Sequence, residues 1–218
     1  KRQVGSYNIG LGNSALRKNT TGGNNIAIGT SSMYSNTTGT NNYSFGTNSL
    51  YNNTAGSDNL ALGNSALRST TTGSYNIAIG SYALYSNTAN YNIAFGYNSL
   101  YNNTTGANNI GIGAYSLYSN TTGIRNLAMG TYSLYTNTRG DNNSAFGYYS
   151  LKSNSVGYEN SAFGSSSLTT NTSGYSNSAF GVNTLKNNTT GNYNTAVGSD
   201  VLTNNISGNY NTATGTGA

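Results

Sequence analysis

Asn25-Ile26-Ala27-Ile28-Gly29 decides the fold of this chain. A polar residue, an apolar one, a tiny one, an apolar one and a glycine read as one short strand running into a turn. The same phrase returns as Asn59-Leu60-Ala61-Leu62-Gly63, Asn76-Ile77-Ala78-Ile79-Gly80, Asn143-Ser144-Ala145-Phe146-Gly147 and Asn194-Thr195-Ala196-Val197-Gly198. Period, more than any single residue, carries the information.

The closing glycine falls at Gly12, Gly29, Gly46, Gly63, Gly80, Gly96, Gly113, Gly130, Gly147, Gly164, Gly181, Gly198 and Gly215, spaced by 17 residues throughout except for 16 between Gly80 and Gly96. Four residues earlier stands an unbroken asparagine column: Asn8, Asn25, Asn42, Asn59, Asn76, Asn92, Asn109, Asn126, Asn143, Asn160, Asn177, Asn194 and Asn211. Two before the glycine the residue never exceeds Ser and is mostly Ala, and Ala27, Ala61, Ala78, Ala94, Ala128, Ala145, Ala162, Ala179 and Ala196 mark a candidate close-packing face. Four after it stands Leu, with Met33 the single substitute. Seven after it stands a second Asn, replaced once by Thr70, and a second glycine (Gly22, Gly39, Gly56) follows the Asn-Thr-Thr segment.

Each unit therefore predicts two short strands and two turns. One strand centres on Leu, as in Ser49-Leu50-Tyr51, and the other is the Asn-led phrase. Asn and Gly in the Asn-Thr-Thr-Gly stretch suit positive φ. Helices are excluded, because apolar residues recur at period two and the Gly and Asn density penalises a helix. The 16-residue unit, Asn87-Thr88-Ala89-Asn90-Tyr91-Asn92, drops its second glycine, and Asn90 is expected to take the left-handed role. Its deletion falls in a turn, since one inside a strand would flip side chains to the wrong face.

Stacked coils give an all-β parallel β-solenoid, or β-roll, of 17-residue coils over 1–218 as a single repeat domain of about 13 coils, roughly 60 Å long at ~4.8 Å per coil. Asn columns are expected to form ladders along the stack. The two apolar slots trade volume: Ile26 and Ile28 give way to Ser144 with Phe146, and to Ser161 with Phe163. Constant total volume suggests one shared packed space. The Ala column implies something close against its own face, either a narrow interior or a second chain, which points to an oligomer.

Composition excludes much chemistry. With no Cys, His, Pro or Trp, thiol, disulfide and imidazole chemistry are absent. The carboxylates Asp58, Asp141, Glu159 and Asp200 are far apart in the sequence, so no acid–base pair or repeated calcium set is expected. We expect no enzyme and no cofactor. Net charge is +5, spread over Lys1, Arg2, Arg17, Lys18, Arg68, Arg125, Arg139, Lys152 and Lys186 without a basic cluster, so nucleic acid is not an expected partner. No apolar run is long enough to insert in a membrane. The chain reads as a segment or mature form of a longer fibre. Gly10-Leu11-Gly12 and Gly111-Ile112-Gly113 read as strand into turn, not as nucleotide loops.

The repeated Asn-x-Ala-φ-Gly motif resembles the head repeats of trimeric autotransporter adhesins and related repeats in bacteriophage tail fibres. This unit is longer than the adhesin repeat, by about the Asn-Thr-Thr insertion. The resemblance implies a left-handed roll, a homotrimer, an extracellular cell-surface or virion location, and attachment to host glycans or proteins.

Three surface features complete the reading. Tyr34, Tyr51, Tyr85, Tyr101, Tyr118 and Tyr135, each five after the glycine, should stack as a column that stabilises the coils or offers a surface to sugars. Sequons at Asn19, Asn36, Asn120, Asn171, Asn188 and Asn205 read as turn residues first and as glycosylation acceptors second. Thr20, Thr37, Thr54, Thr71 and Thr88 form a column that raises ice binding as an alternative. The expected role is a structural and adhesive fibre segment working by multivalent contact, with a self-assembling filament, joined to neighbours end to end, as the other alternative.

Overall fold

The computed structural model describes residues 5–218, so Lys1 and Arg2 lie outside the described residues. Thirteen three-residue strands follow one another: β1 (Ile9–Leu11), β2 (Ile26–Ile28), β3 (Tyr43–Phe45), β4 (Leu60–Leu62), β5 (Ile77–Ile79), β6 (Ile93–Phe95), β7 (Ile110–Ile112), β8 (Leu127–Met129), β9 (Ser144–Phe146), β10 (Ser161–Phe163), β11 (Ser178–Phe180), β12 (Thr195–Val197) and β13 (Thr212–Thr214). No helix occurs among the described residues.

The chain divides into two compact units, Lys1–Asn108 and Asn109–Ala218. The first carries β1 to β6 and the second β7 to β13. In each, every strand pairs in parallel with the next, in register. Ile26, Ala27 and Ile28 lie beside Tyr43, Ser44 and Phe45 in the first unit. Ser161, Ala162 and Phe163 lie beside Ser178, Ala179 and Phe180 in the second. Both units are thus parallel β-solenoids of 17-residue coils. Backbone bonds also join coil to coil outside the strands, as from Leu50 N–H to Ala66 O at 3.0 Å and Thr37 N–H to Thr54 O at 2.9 Å. A strand of three residues has almost no stability alone, and stacking supplies the missing partners.

The expected second strand is absent. The Leu segment is a tight turn in which Leu16, Met33, Leu50 and their successors sit at φ between +47° and +52°. That left-handed conformation costs a residue with a Cβ about 1–2 kcal/mol. Burial offsets it: apart from Leu202 in the last coil, each of these side chains is enclosed within its coil. The left-handed turn aims the Leu inward at a point where an extended strand would alternate past it.

Beside the Leu, the interior holds the Ala column, a small residue just before each Leu (Ser49, Ala66, Ser133), and both Asn columns. Ala is imposed by the narrowness of the coil. Because strand residues alternate, the apolar residues on either side of each Ala point outward. The expected packed space shared by Ile26 with Ile28 and by Ser144 with Phe146 is therefore not inside the coil. These residues form the outer face of the sheet.

Closing glycines have two reasons to be glycine. Gly29 sits at φ +131°, and a Cβ there would come within 2.6 Å of Gly46 O in the next coil. The second glycines have only the second reason. Gly39 is not at positive φ, but a Cβ would lie 2.6 Å from Asn36 Oδ1. Positive φ falls instead on the residue before each strand Asn, such as Asn24, Asp58 and Tyr75. In the 16-residue coil it likewise falls on Tyr91, at φ 59°, and not on Asn90. Ala89 takes over the missing glycine's role there: its carbonyl accepts from Asn76 Nδ2 at 2.9 Å and from Asn87 Nδ2 at 2.8 Å.

Candidate functional site

Two asparagine ladders run through the interior of each unit. In the strand column, Asn42 donates its backbone N–H (2.9 Å) and its Nδ2 (3.2 Å) to Asn25 Oδ1, and Nδ2 also donates to Gly56 O (2.8 Å). Asn160 repeats this on Asn143 and Gly174. In the turn column, Asn36 Nδ2 donates to Asn19 Oδ1 at 2.7 Å and to Gly39 O at 3.1 Å. A buried amide is costly unless both ends are satisfied, and in these ladders the column neighbour one coil away and a glycine carbonyl satisfy them together.

The sequon asparagines belong to the turn ladder. Asn36, Asn120, Asn171 and Asn188 are fully buried, Asn19 nearly so, and Asn205 is partly covered. A Nδ2 already donating inside a coil is not presented to a glycosylation enzyme. The threonine column is also engaged, since Thr20, Thr37, Thr54 and Thr88 donate their hydroxyls to a carbonyl one coil on.

Tyr34 and Tyr51 stack at 5.1 Å, Tyr85 and Tyr101 at 5.0 Å, and Tyr118 and Tyr135 at 5.3 Å. All six rings are half-buried. Arg68 bridges a gap in this column, 5.5 Å from the centre of Tyr51 and 5.7 Å from that of Tyr85. Its Nη1 also donates to the Tyr85 hydroxyl at 2.7 Å. Lys18 covers Tyr34 at 5.0 Å. Stacked rings turn their π faces toward column neighbours, and the cations take further faces.

The sequence did not single out further aromatic pairs, one or two residues before the strand asparagines. Tyr75 stacks on Tyr91 at 5.0 Å, Tyr158 on Tyr175 at 4.7 Å, and Tyr193 on Tyr210 at 5.0 Å. The neighbouring Tyr175 pushes the Tyr193 hydroxyl above its ordinary pKa, both electrostatically and by hydrogen bonding. Tyr75, Tyr91, Tyr193 and Tyr210 stand one residue before the strand Asn, and Tyr158 and Tyr175 two before it, so they are legible as columns only after alignment on that Asn.

From Ala27 to Ala196 every Ala of the column is fully enclosed by its own coil, so no second chain reaches them. The surface open to another molecule is the outer face of the sheet. In the first unit both of its columns are apolar or aromatic, and Leu62 is 46%, Ile77 37% and Phe95 53% exposed. In the second unit one column turns polar at Ser144, Ser161, Ser178 and Thr195, while Phe146, Phe163 and Phe180 stack in the other at 4.6 and 5.0 Å. No charged residue occurs in either column. The polar replacements in the first slot, and Tyr43 before them, were the sequence signal that this face looks outward.

Among the described residues there is no group of three or more potential metal ligands. The carboxylates serve coil-to-coil bonds: Asp58 accepts from Asn41 at 3.1 Å, and Asp200 from Asn183 at 2.9 Å. Hydrogen bonds from Asn183 and Ser199 hold the Asp200 carboxyl below its ordinary pKa. Geometry therefore defines a class, the parallel β-solenoid repeat proteins built on internal asparagine ladders. Compared with known proteins, the chain matches no family model, no curated protein and no solved structure.

Proposed function

We propose that this chain is a structural and adhesive segment of an extracellular fibre, assembled as a homo-oligomer through the outer face of its sheet. The observation that carries this is the pair of uncharged apolar columns on β1 to β6, where Leu62, Ile77 and Phe95 are among the exposed side chains. Exposed apolar area of this kind marks interaction surfaces. An identical chain is the best-fitting occupant, because it presents the same residues at the same coil spacing, so rung meets rung. The extracellular setting, the trimer number and the attachment role rest on the resemblance of the repeat to adhesin heads and tail fibres. In that role a rigid, repetitive surface gains avidity from many weak contacts.

Light scattering on the purified chain and on a Leu62→Lys/Ile77→Lys variant tests the assembly. The expected result is a discrete oligomer for the parent and a monomer of unchanged circular dichroism for the variant. A monomeric parent would overturn the assembly, and concentration-dependent lengthening would favour the end-to-end filament. Attachment is tested on a glycan and receptor array with the assembled oligomer. Absence of any bound glycan or protein would remove the adhesive role and leave the structural one.

A further inference from the structure

We propose that Tyr75–Tyr91 and Tyr193–Tyr210 are sites of oxidative tyrosine coupling, at which a carbon–carbon bond staples consecutive coils. This rests on the coil geometry and not on the fibre role.

Stacking and exposure together select these pairs: Tyr158–Tyr175 at 4.7 Å and Tyr115–Tyr132 at 5.1 Å stack as well, but Tyr175, Tyr115 and Tyr132 are half-buried. Each joins equivalent positions one coil apart, with φ of 60° and 59° in the first and 56° at both residues of the second. Identical backbone conformations launch the two side chains in parallel. The rings stack at 5.0 Å in both pairs, with planes 3° and 6° apart. All four rings are exposed, Tyr210 by 77%, so a bulky oxidant reaches them and the rings have room to turn toward each other.

Chemistry favours the same place. The chain has no Cys, Trp or His to intercept a one-electron oxidant, and of its two Met residues Met33 is fully buried. Met129 consumes two-electron oxidants as sulfoxide, which forms no cross-link. The co-reactant is hydrogen peroxide used by a haem peroxidase. Each phenol gives up one electron and one proton, forming a phenoxyl radical. The two radicals join ortho carbon to ortho carbon. Hydrogen on each coupled carbon then moves to oxygen, restoring both phenols. In sum, two tyrosines and one hydrogen peroxide give one dityrosine and two waters. Partners on adjacent coils make coupling intramolecular, at an effective concentration far above that of a second chain.

Tyr43 is the internal control. It is exposed, but its column neighbours are Ile26 and Leu60. The full chain is treated with peroxidase and hydrogen peroxide in dilute solution, folded and in denaturant, then digested and mapped by mass spectrometry. The expected products from folded protein are intrachain peptides joining Tyr75 to Tyr91 and Tyr193 to Tyr210, with dityrosine fluorescence. Tyr91→Phe and Tyr210→Phe keep the stacked ring but remove the phenol, and each should lose its own cross-linked peptide while the other persists. Equal yields of these links in denaturant, links only between chains, or preferential linkage at Tyr43 would each overturn the proposal.

Discussion

Asn53 shows what one missing rung does. Its Nδ2 donates to Asn36 Oδ1 at 2.8 Å and to Gly56 O at 2.9 Å, but its own Oδ1 is buried without a partner. The next coil carries Thr70, whose hydroxyl is turned to Asn87 O at 2.8 Å. An orphaned buried acceptor costs about 1–3 kcal/mol. Thr70→Asn should therefore stabilise the protein, by about 1 kcal/mol once the lost hydroxyl bond is subtracted, read as a higher urea midpoint at unchanged slope. An unchanged or lower midpoint would show that the ladder does not work by satisfying amides. The left-handed leucines make a second prediction at this scale. Leu134→Ala should cost about 2–5 kcal/mol through its cavity. Leu134→Gly should cost no more than Leu134→Ala, because Gly is free of the strain that Ala retains at φ +48°. Denaturant titration of both variants checks the order; a Gly variant clearly less stable than the Ala one would refute the strain argument.

Each strand is readable in the sequence as a period-two phrase, and all thirteen Asn-led phrases are strands. Their inside and outside were harder to read. A three-residue strand offers one inward side chain, so apolar count points the wrong way: two Ile look like core and one Ala looks like filler. Size constancy is the better signal, because only an interior position forbids growth. Ala128→Leu should overpack the coil and cost about 1–3 kcal/mol or more, whereas Met129→Leu beside it should be nearly neutral. Thermal melts compare the two, and equal effects would contradict the assignment of faces. The Leu turn was not legible at all. Sequence rules flag Gly and Asn for positive φ, whereas here burial of Leu overrides local preference, and no pattern of neighbouring residue types announces that.

Across the whole molecule, the ladder positions and the period were legible because the chain repeats them almost without error. The surface was less so, since a column exists only once coils are aligned. The Leu62→Lys/Ile77→Lys variant belongs at this scale, because one charged rung disturbs little while charges on adjacent coils repel along a continuous face. Its effect on assembly should weaken as salt rises, which sedimentation at two ionic strengths would read.

The 16-residue coil ending at Gly96 has a meaning apart from its shape. A ruler with identical gradations cannot be read until one of them is notched. Seventeen-residue coils are interchangeable, so in the proposed oligomer a neighbour displaced by one of them would meet nearly the same rungs and pay almost nothing for its error. At the short coil the same displacement sets 16 residues against 17 and Ala89 against a glycine. In such an assembly that notch, with Thr70 and Arg68 just before it, would turn an endless scale into an address.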